Sequence, residues 1–132
     1  MRREVERRAN RRCEYCGLPA EFAEATFHVD HIISEQHGGE TRLENLAFAC
    51  FPCNAYKGPN LSSLDPTTGE LVRLFHPRKD TWSDHFDWHG PRIGGRTAVG
   101  RATVDLLRMN EESTVALRAL LMEEGVEFPG AR

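Results

Sequence analysis

At 132 residues with a formal charge of −3 and 39% apolar side chains, the chain has the size of one domain and an ordinary folding balance. That balance excludes a uniformly basic nucleic-acid-coating protein, and the longest apolar run, the six residues Leu46–Phe51, is far short of a membrane span. All four cysteines fall in two Cys-x-x-Cys pairs, and MRREVERRANRR at the N-terminus has no apolar core of an export signal. The expectation is therefore a reducing, cytoplasmic setting in which the thiolates are free to bind metal.

Residues 2–12 have helix-forming composition, with Val5 and Ala9 as a thin apolar i,i+4 stripe. They carry six arginines against two glutamates, whereas residues 111–127 carry five glutamates against Arg118. This distribution suits a basic DNA-facing front with an acidic back, and equally two ordinary charged helices. Cys13-Glu14-Tyr15-Cys16-Gly17 has the form of a zinc knuckle, Gly17 permitting the positive-φ turn that brings both sulfurs onto one ion. Thr26 to Ile33 reads as a strand with Phe27 and Val29 inward and His28 and Asp30 on the other face. Asp30 and His31 are consecutive, so they serve one site only if the strand bends or ends at His31. His37-Gly38-Gly39 is a turn, a loop reaches Asn45, and Leu46–Cys50 is the second strand of a hairpin. Pro52 opens a short helix carrying Asn54 and Lys57, which Gly58-Pro59 ends. Strand, strand and helix around one zinc form a unit too small to rest on apolar burial alone, so zinc ligation is expected to supply much of its folding free energy.

Further along, Asp65-Pro66-Thr67-Thr68-Gly69 is a turn and Leu71–Phe75 a strand. Trp82, Phe86 and Trp88 add aromatic mass before a Gly90-Pro91 turn. Thr97 is the expected N-cap of a helix reaching about Met109, with Val99, Ala102, Leu106 and Met109 on one face. Asn110 is the expected cap of a second helix whose apolar face is Val115, Leu117, Leu120, Leu121 and Met122, stopped at Gly125. The fold class is α+β: a zinc-stapled module over residues 1–59, then an extension, 60–132, of hairpin strands and a helical hairpin packing on it.

At Cys13, Cys16, Asp30, His31, Gly38, Gly39, Asn45, Leu46, Cys50, Cys53, Asn54 and Lys57, the chain resembles the zinc-containing, four-cysteine branch of the HNH nucleases, over roughly residues 10–58. The resemblance implies a ββα-metal fold that hydrolyses DNA phosphodiester bonds, by nicking or double-strand cleavage, and leaves a 5′-phosphate. It makes His31 the general base, Asp30 and Asn54 the holders of a divalent cation, and Asn45 the brace of the loop between the strands. It also makes Cys13, Cys16, Cys50 and Cys53 the ligands of a structural Zn²⁺. Many members have histidine where this chain has Asn54; an amide beside a carboxylate suits Mg²⁺ or Mn²⁺. Lys57, about one turn beyond Asn54, is expected to reach a flanking phosphate. The expected partner is DNA, with no membrane, the protein acting as monomer or homodimer.

Other readings stand beside these. A catalytically inactive zinc-stapled DNA-binding module of the same fold needs the same cysteines, but it has no need of a base at His31. His28 shares a strand face with Asp30, and His37 is a loop residue. His85, Asp87 and His89 alternate, so on a strand they line one face, either as a metal site or as a polar face over Phe86 and Trp88. Arg92, Arg96 and Arg101 are either phosphate contacts or solvated side chains.

Overall fold

The computed structural model describes residues 1–128 and Gly130. Its first helix, α1 (Arg2–Arg8), is shorter than its composition suggests. Asn10 and Arg11 adopt φ of 55° and 56°, turning the chain so that Arg12 pairs with Pro19 in a β-bridge. The N-terminal arginines clip this segment to neighbouring backbone. Arg2 donates to Phe27 O at 2.9 Å, Arg8 to Leu43 O at 2.7 Å and to Leu46 O, and Arg12 to Gly17 O at 3.1 Å.

Strands β1 (His28–His31) and β2 (Leu46–Ala49) form an antiparallel hairpin with Asp30 opposite Ala47 and His31 opposite Leu46. His31 is the last residue of β1 and still pairs with Leu46, so it lies on the opposite face of the strand from Asp30. β2 is buried along its whole length, no residue exceeding 1% exposure. That is why it reads as an unbroken apolar run. Helix α2 (Phe51–Lys57), with Pro52 in its first turn, packs across β1 and stops at Gly58. The three elements make a ββα unit.

The rest of the chain contributes β3 (Ser62–Leu64), β4 (Leu71–Arg73), α3 (Trp82–His85), β5 (Phe86–His89), β6 (Arg92–Gly95), α4 (Ala98–Leu106) and α5 (Glu112–Glu123). β3–β4 and β5–β6 are separate antiparallel hairpins, and α4 lies against both. Thr97 Oγ1 accepts the Gly100 N–H at 3.0 Å, the expected cap, worth about 1 kcal/mol. One apolar core runs from Val5 through Tyr15, Phe48 and Phe75 to Leu121 and Phe128. The extension is thus continuous with the ββα unit. Trp82 Nε1 donates to Tyr15 O at 2.8 Å across that contact, and Phe75 meets the Tyr15 ring edge-on at 6.4 Å.

Three expectations need correction. Asn110 does not cap α5, since Glu111 occupies that position. Its amide instead clamps both backbone groups of Ile93, accepting the N–H at 2.9 Å and donating to the carbonyl at 2.8 Å. The broad apolar face of α5 is interrupted: Arg118 is 2% exposed while Leu120 is 53% exposed. The buried guanidinium finds the Pro91 and Met109 carbonyls at 2.7 Å each, and Asn110 Oδ1 at 3.1 Å, neutral acceptors that satisfy its N–H groups. Finally, His85 closes α3 before β5 begins, so His85, Asp87 and His89 share no strand face. His85 Nδ1 pairs with Thr97 Oγ1 at 2.6 Å, whereas His89 pairs with Asp87 at 3.0 Å.

The Asp65 turn is the extension's main polar anchor. Its fully buried carboxylate accepts the Thr67 N–H, the Thr68 hydroxyl and two Arg101 N–H groups at 2.8–3.1 Å. The Arg101 pairing, aided by Thr67 and Thr68, holds Asp65 well below the usual carboxylate pKa. A lowered folded pKa contributes stability that is present above the unfolded value and fades as pH falls toward the folded one. Asp65→Asn is therefore expected to melt several degrees below wild type at pH 7. Thermal melts should show the gap narrowing once pH drops below about 4.

Candidate active site and metal centre

The Cys13–Gly17 knuckle closes through Gly17 at φ 82°, with Gly17 N–H on Cys13 O at 2.9 Å and Cys16 N–H directed at Cys13 Sγ at 3.4 Å. From the second pair, Cys50 precedes α2 and Cys53 lies in its first turn. All four sulfurs lie within 4.8 Å of one another and all four residues are buried. Cys16 Sγ and Cys50 Sγ are 3.7 Å apart, against about 3.8 Å for a tetrahedron with Zn–S bonds of about 2.3 Å. Hydrogen bonding with Cys13 and Cys16 pushes the Cys50 and Cys53 thiols up, whereas Cys13, against the effect of burial, is held well below its ordinary value by hydrogen bonds from the other three cysteines. The donor set fits Zn²⁺. Among the described residues it is the only cluster of three or more histidine, cysteine or carboxylate side chains suited to a metal.

Tyr15, between the first two cysteines, connects this centre to Asp30. Its buried hydroxyl donates to Asp30 Oδ2 at 3.0 Å. Lys57 Nζ reaches the same oxygen at 3.3 Å and the His31 carbonyl at 3.2 Å. Burial raises the Asp30 pKa, while Lys57 and Tyr15 oppose the rise. Among the described residues no hydrogen bond falls on Asp30 Oδ1. The structure thus differs from the expectation for Lys57: its side chain, 2% exposed, balances Asp30 rather than extending to a phosphate. At i+6 from the helix start Lys57 faces β1, where a buried carboxylate outcompetes solvent for the ammonium. Removing either partner leaves an uncompensated buried charge, a cost of about 3–5 kcal/mol.

The His31 ring is half-exposed at the end of β1, Nε2 lying 2.9 Å from Thr41 Oγ1. Asn45 ties the intervening loop together, accepting the Ile33 N–H and donating to Ile33 O and Glu40 O, each at 2.9 Å. Gly39 packs so closely here that a Cβ would sit 1.7 Å from Ile33 O and 2.9 Å from Asn45 Nδ2, which makes glycine obligatory. Asn54 lies on α2, one turn before Lys57, half-buried. His28 is exposed, its ring 5.9 Å from that of Phe51, and His37 is exposed in its loop. Arg101 and Arg96 are committed to Asp65 and the Ser83 carbonyl.

Reasoning from sequence missed Tyr15 and Thr41. The Tyr15 signal was a large phenol inside a knuckle, a place that otherwise faces solvent; Thr41 left none.

Cys50→Ser should lose zinc and melt well below wild type, measured as metal content and thermal midpoint on the same sample. A metal-free variant melting with wild type would contradict the staple.

Residues 13–60 match the HNH endonuclease family model. Over 105 residues the chain is 26% identical to the Septu protein PtuB of Bacillus thuringiensis, a match covering 78% of this chain but 38% of that protein. No solved structure matches the chain, and no helix among the described residues is long and apolar enough to cross a membrane. The segment from Cys13 to Asn60, with its four-cysteine centre, is a domain of the HNH endonuclease family.

Proposed function

We propose that this chain is a metal-dependent endonuclease hydrolysing DNA phosphodiester bonds, with His31 as general base and Asp30 and Asn54 holding one divalent cation. The observation that carries this reading is the His31 ring at the end of β1, held by Thr41 through Nε2 within the HNH segment. Nδ1 is then the nitrogen left to take a proton from attacking water, and imidazole suits that task near neutral pH. Asn45, by fixing the backbone of Ile33 two residues on, limits how far the ring's backbone can drift.

Asp30 Oδ1 and the Asn54 amide, a carboxylate and a neutral oxygen, are a donor set suited to Mg²⁺ or Mn²⁺, with most of the shell left to water and substrate. Bound there, the cation supplies positive charge to the phosphate and to the leaving O3′, leaving a 5′-phosphate on the product. Lys57 keeps the buried carboxylate from being left alone without the cation. Its four clustered free thiols suit a reducing, cytoplasmic setting, and the protein would act on DNA as a monomer or homodimer. The relative's length leaves the activity of any larger assembly within this same proposal.

One observation favours a second reading, a zinc-stapled DNA-binding module that does not cut: the Lys57–Asp30 pair already neutralises the carboxylate. Supercoiled plasmid with Mg²⁺ or Mn²⁺ separates the two. Wild type should nick, and His31→Ala should lose roughly 100-fold or more while keeping its fold and DNA binding. Equal nicking by both removes His31 from the chemistry. A wild type that binds DNA and never nicks it selects the second reading.

A further inference from the structure

The extension buries a cation for which it offers no anion. Arg118 on α5 is 2% exposed. Its three hydrogen-bond acceptors, Pro91 O, Met109 O and Asn110 Oδ1, are all neutral. Its guanidinium carbon also lies 5.8 Å from the Trp88 ring centre. No carboxylate pairs with it among the described residues. The other buried charges differ: Lys57 has Asp30, and Asp65 has Arg101. A guanidinium this enclosed needs a counter-charge.

The negative charges acting on Arg118 are those of cysteine sulfurs. Arg118 shares a cavity of about 30 Å³ with Cys16, Cys50 and Cys53, walled by Leu107, Met109 and Leu117. That volume admits no more than about one water, so little solvent screens the guanidinium from the cysteines. Burial lowers the Arg118 pKa, and charge on Cys16, Cys53 and Cys50 opposes the fall. Four thiolates around one Zn²⁺ carry two net negative charges, which a buried site cannot leave uncompensated.

We propose that Arg118 is the counter-charge of the four-cysteine zinc centre, delivered by the C-terminal extension into a cavity that the cysteines line. Arg118 acts as a positioning residue through the thiolates: it lowers the electrostatic cost of assembling them and slows release of the metal. Zinc retention thereby depends on the charge that α5 carries at Arg118, whether or not the chain cuts DNA.

The test uses the full zinc-loaded chain, with zinc affinity measured by chelator competition and the thiolate-to-metal charge-transfer band read on the cobalt-substituted protein. Arg118→Met keeps bulk and removes charge; it should weaken zinc binding about 10- to 100-fold and move the band to lower energy. Arg118→Lys keeps charge while losing the fork to Pro91 and Met109, and should recover most of the affinity and the wild-type band. Leu121→Ala, a packing loss on the same helix, should melt earlier with zinc affinity and band unchanged. Equal zinc affinity in Arg118→Met and Arg118→Lys overturns the proposal, as does a Leu121→Ala loss matching that of Arg118→Met. Should Arg118→Met fail to fold, Arg118→Lys decides alone. A wild-type band with near-wild-type affinity supports the role, and a folded Arg118→Lys chain that loses zinc overturns it.

Discussion

Four buried sulfurs draw together two segments that the sequence separates by 34 residues, and the arrangement of the ββα unit follows from that closure. Once Cys13 and Cys16 are held against Cys50 and Cys53, the knuckle lies on β2. Glu14 N–H then donates to Phe48 O at 2.8 Å, and the Glu14 carboxylate accepts the Phe48 N–H at 2.8 Å. Arg78, from the extension, pairs with the same carboxylate. A short chain with a modest core would gain from zinc at this four-cysteine centre what burial alone does not supply.

A chain of polar contacts carries this order outward. Tyr15 leaves the knuckle and meets Asp30, Asp30 meets Lys57, and Lys57 returns to the His31 carbonyl. The Tyr15–Asp30 and Asp30–Lys57 contacts are buried and the Lys57–His31 contact partly so, so each is worth more than its surface equivalent and each is costly to leave half-made. Zinc geometry and the orientation of the strand bearing the histidine are thereby joined by direct contacts.

What could be read from the sequence was local or strongly spaced. Two Cys-x-x-Cys pairs, a buried apolar strand, Pro52 opening α2, the Thr97 cap and the Asp65 turn each depend on a few neighbouring residues, and each is found as expected. The misses depend on the partner that tertiary packing selects. Lys57 has the pattern of a surface cation, yet its helix face turns toward a buried carboxylate. Asn110 has the chemistry of a cap, but the Ile93 backbone offers it two hydrogen bonds at once. Arg118 interrupts an apolar stripe because three acceptors converge where a leucine would otherwise point. β6 was not anticipated, since Arg92–Gly95 ends in two glycines and has little strand propensity.

Both tryptophans of the chain, Trp82 and Trp88, stack with ring centres 5.6 Å apart. Trp82 donates its indole N–H to the backbone of Tyr15, between the first two sulfurs. The molecule therefore carries its own optical gauge: the environment of this indole pair is tied to the peptide that bends around the metal. Opening of the knuckle should register as a change in intrinsic emission, with no dye attached and no residue replaced.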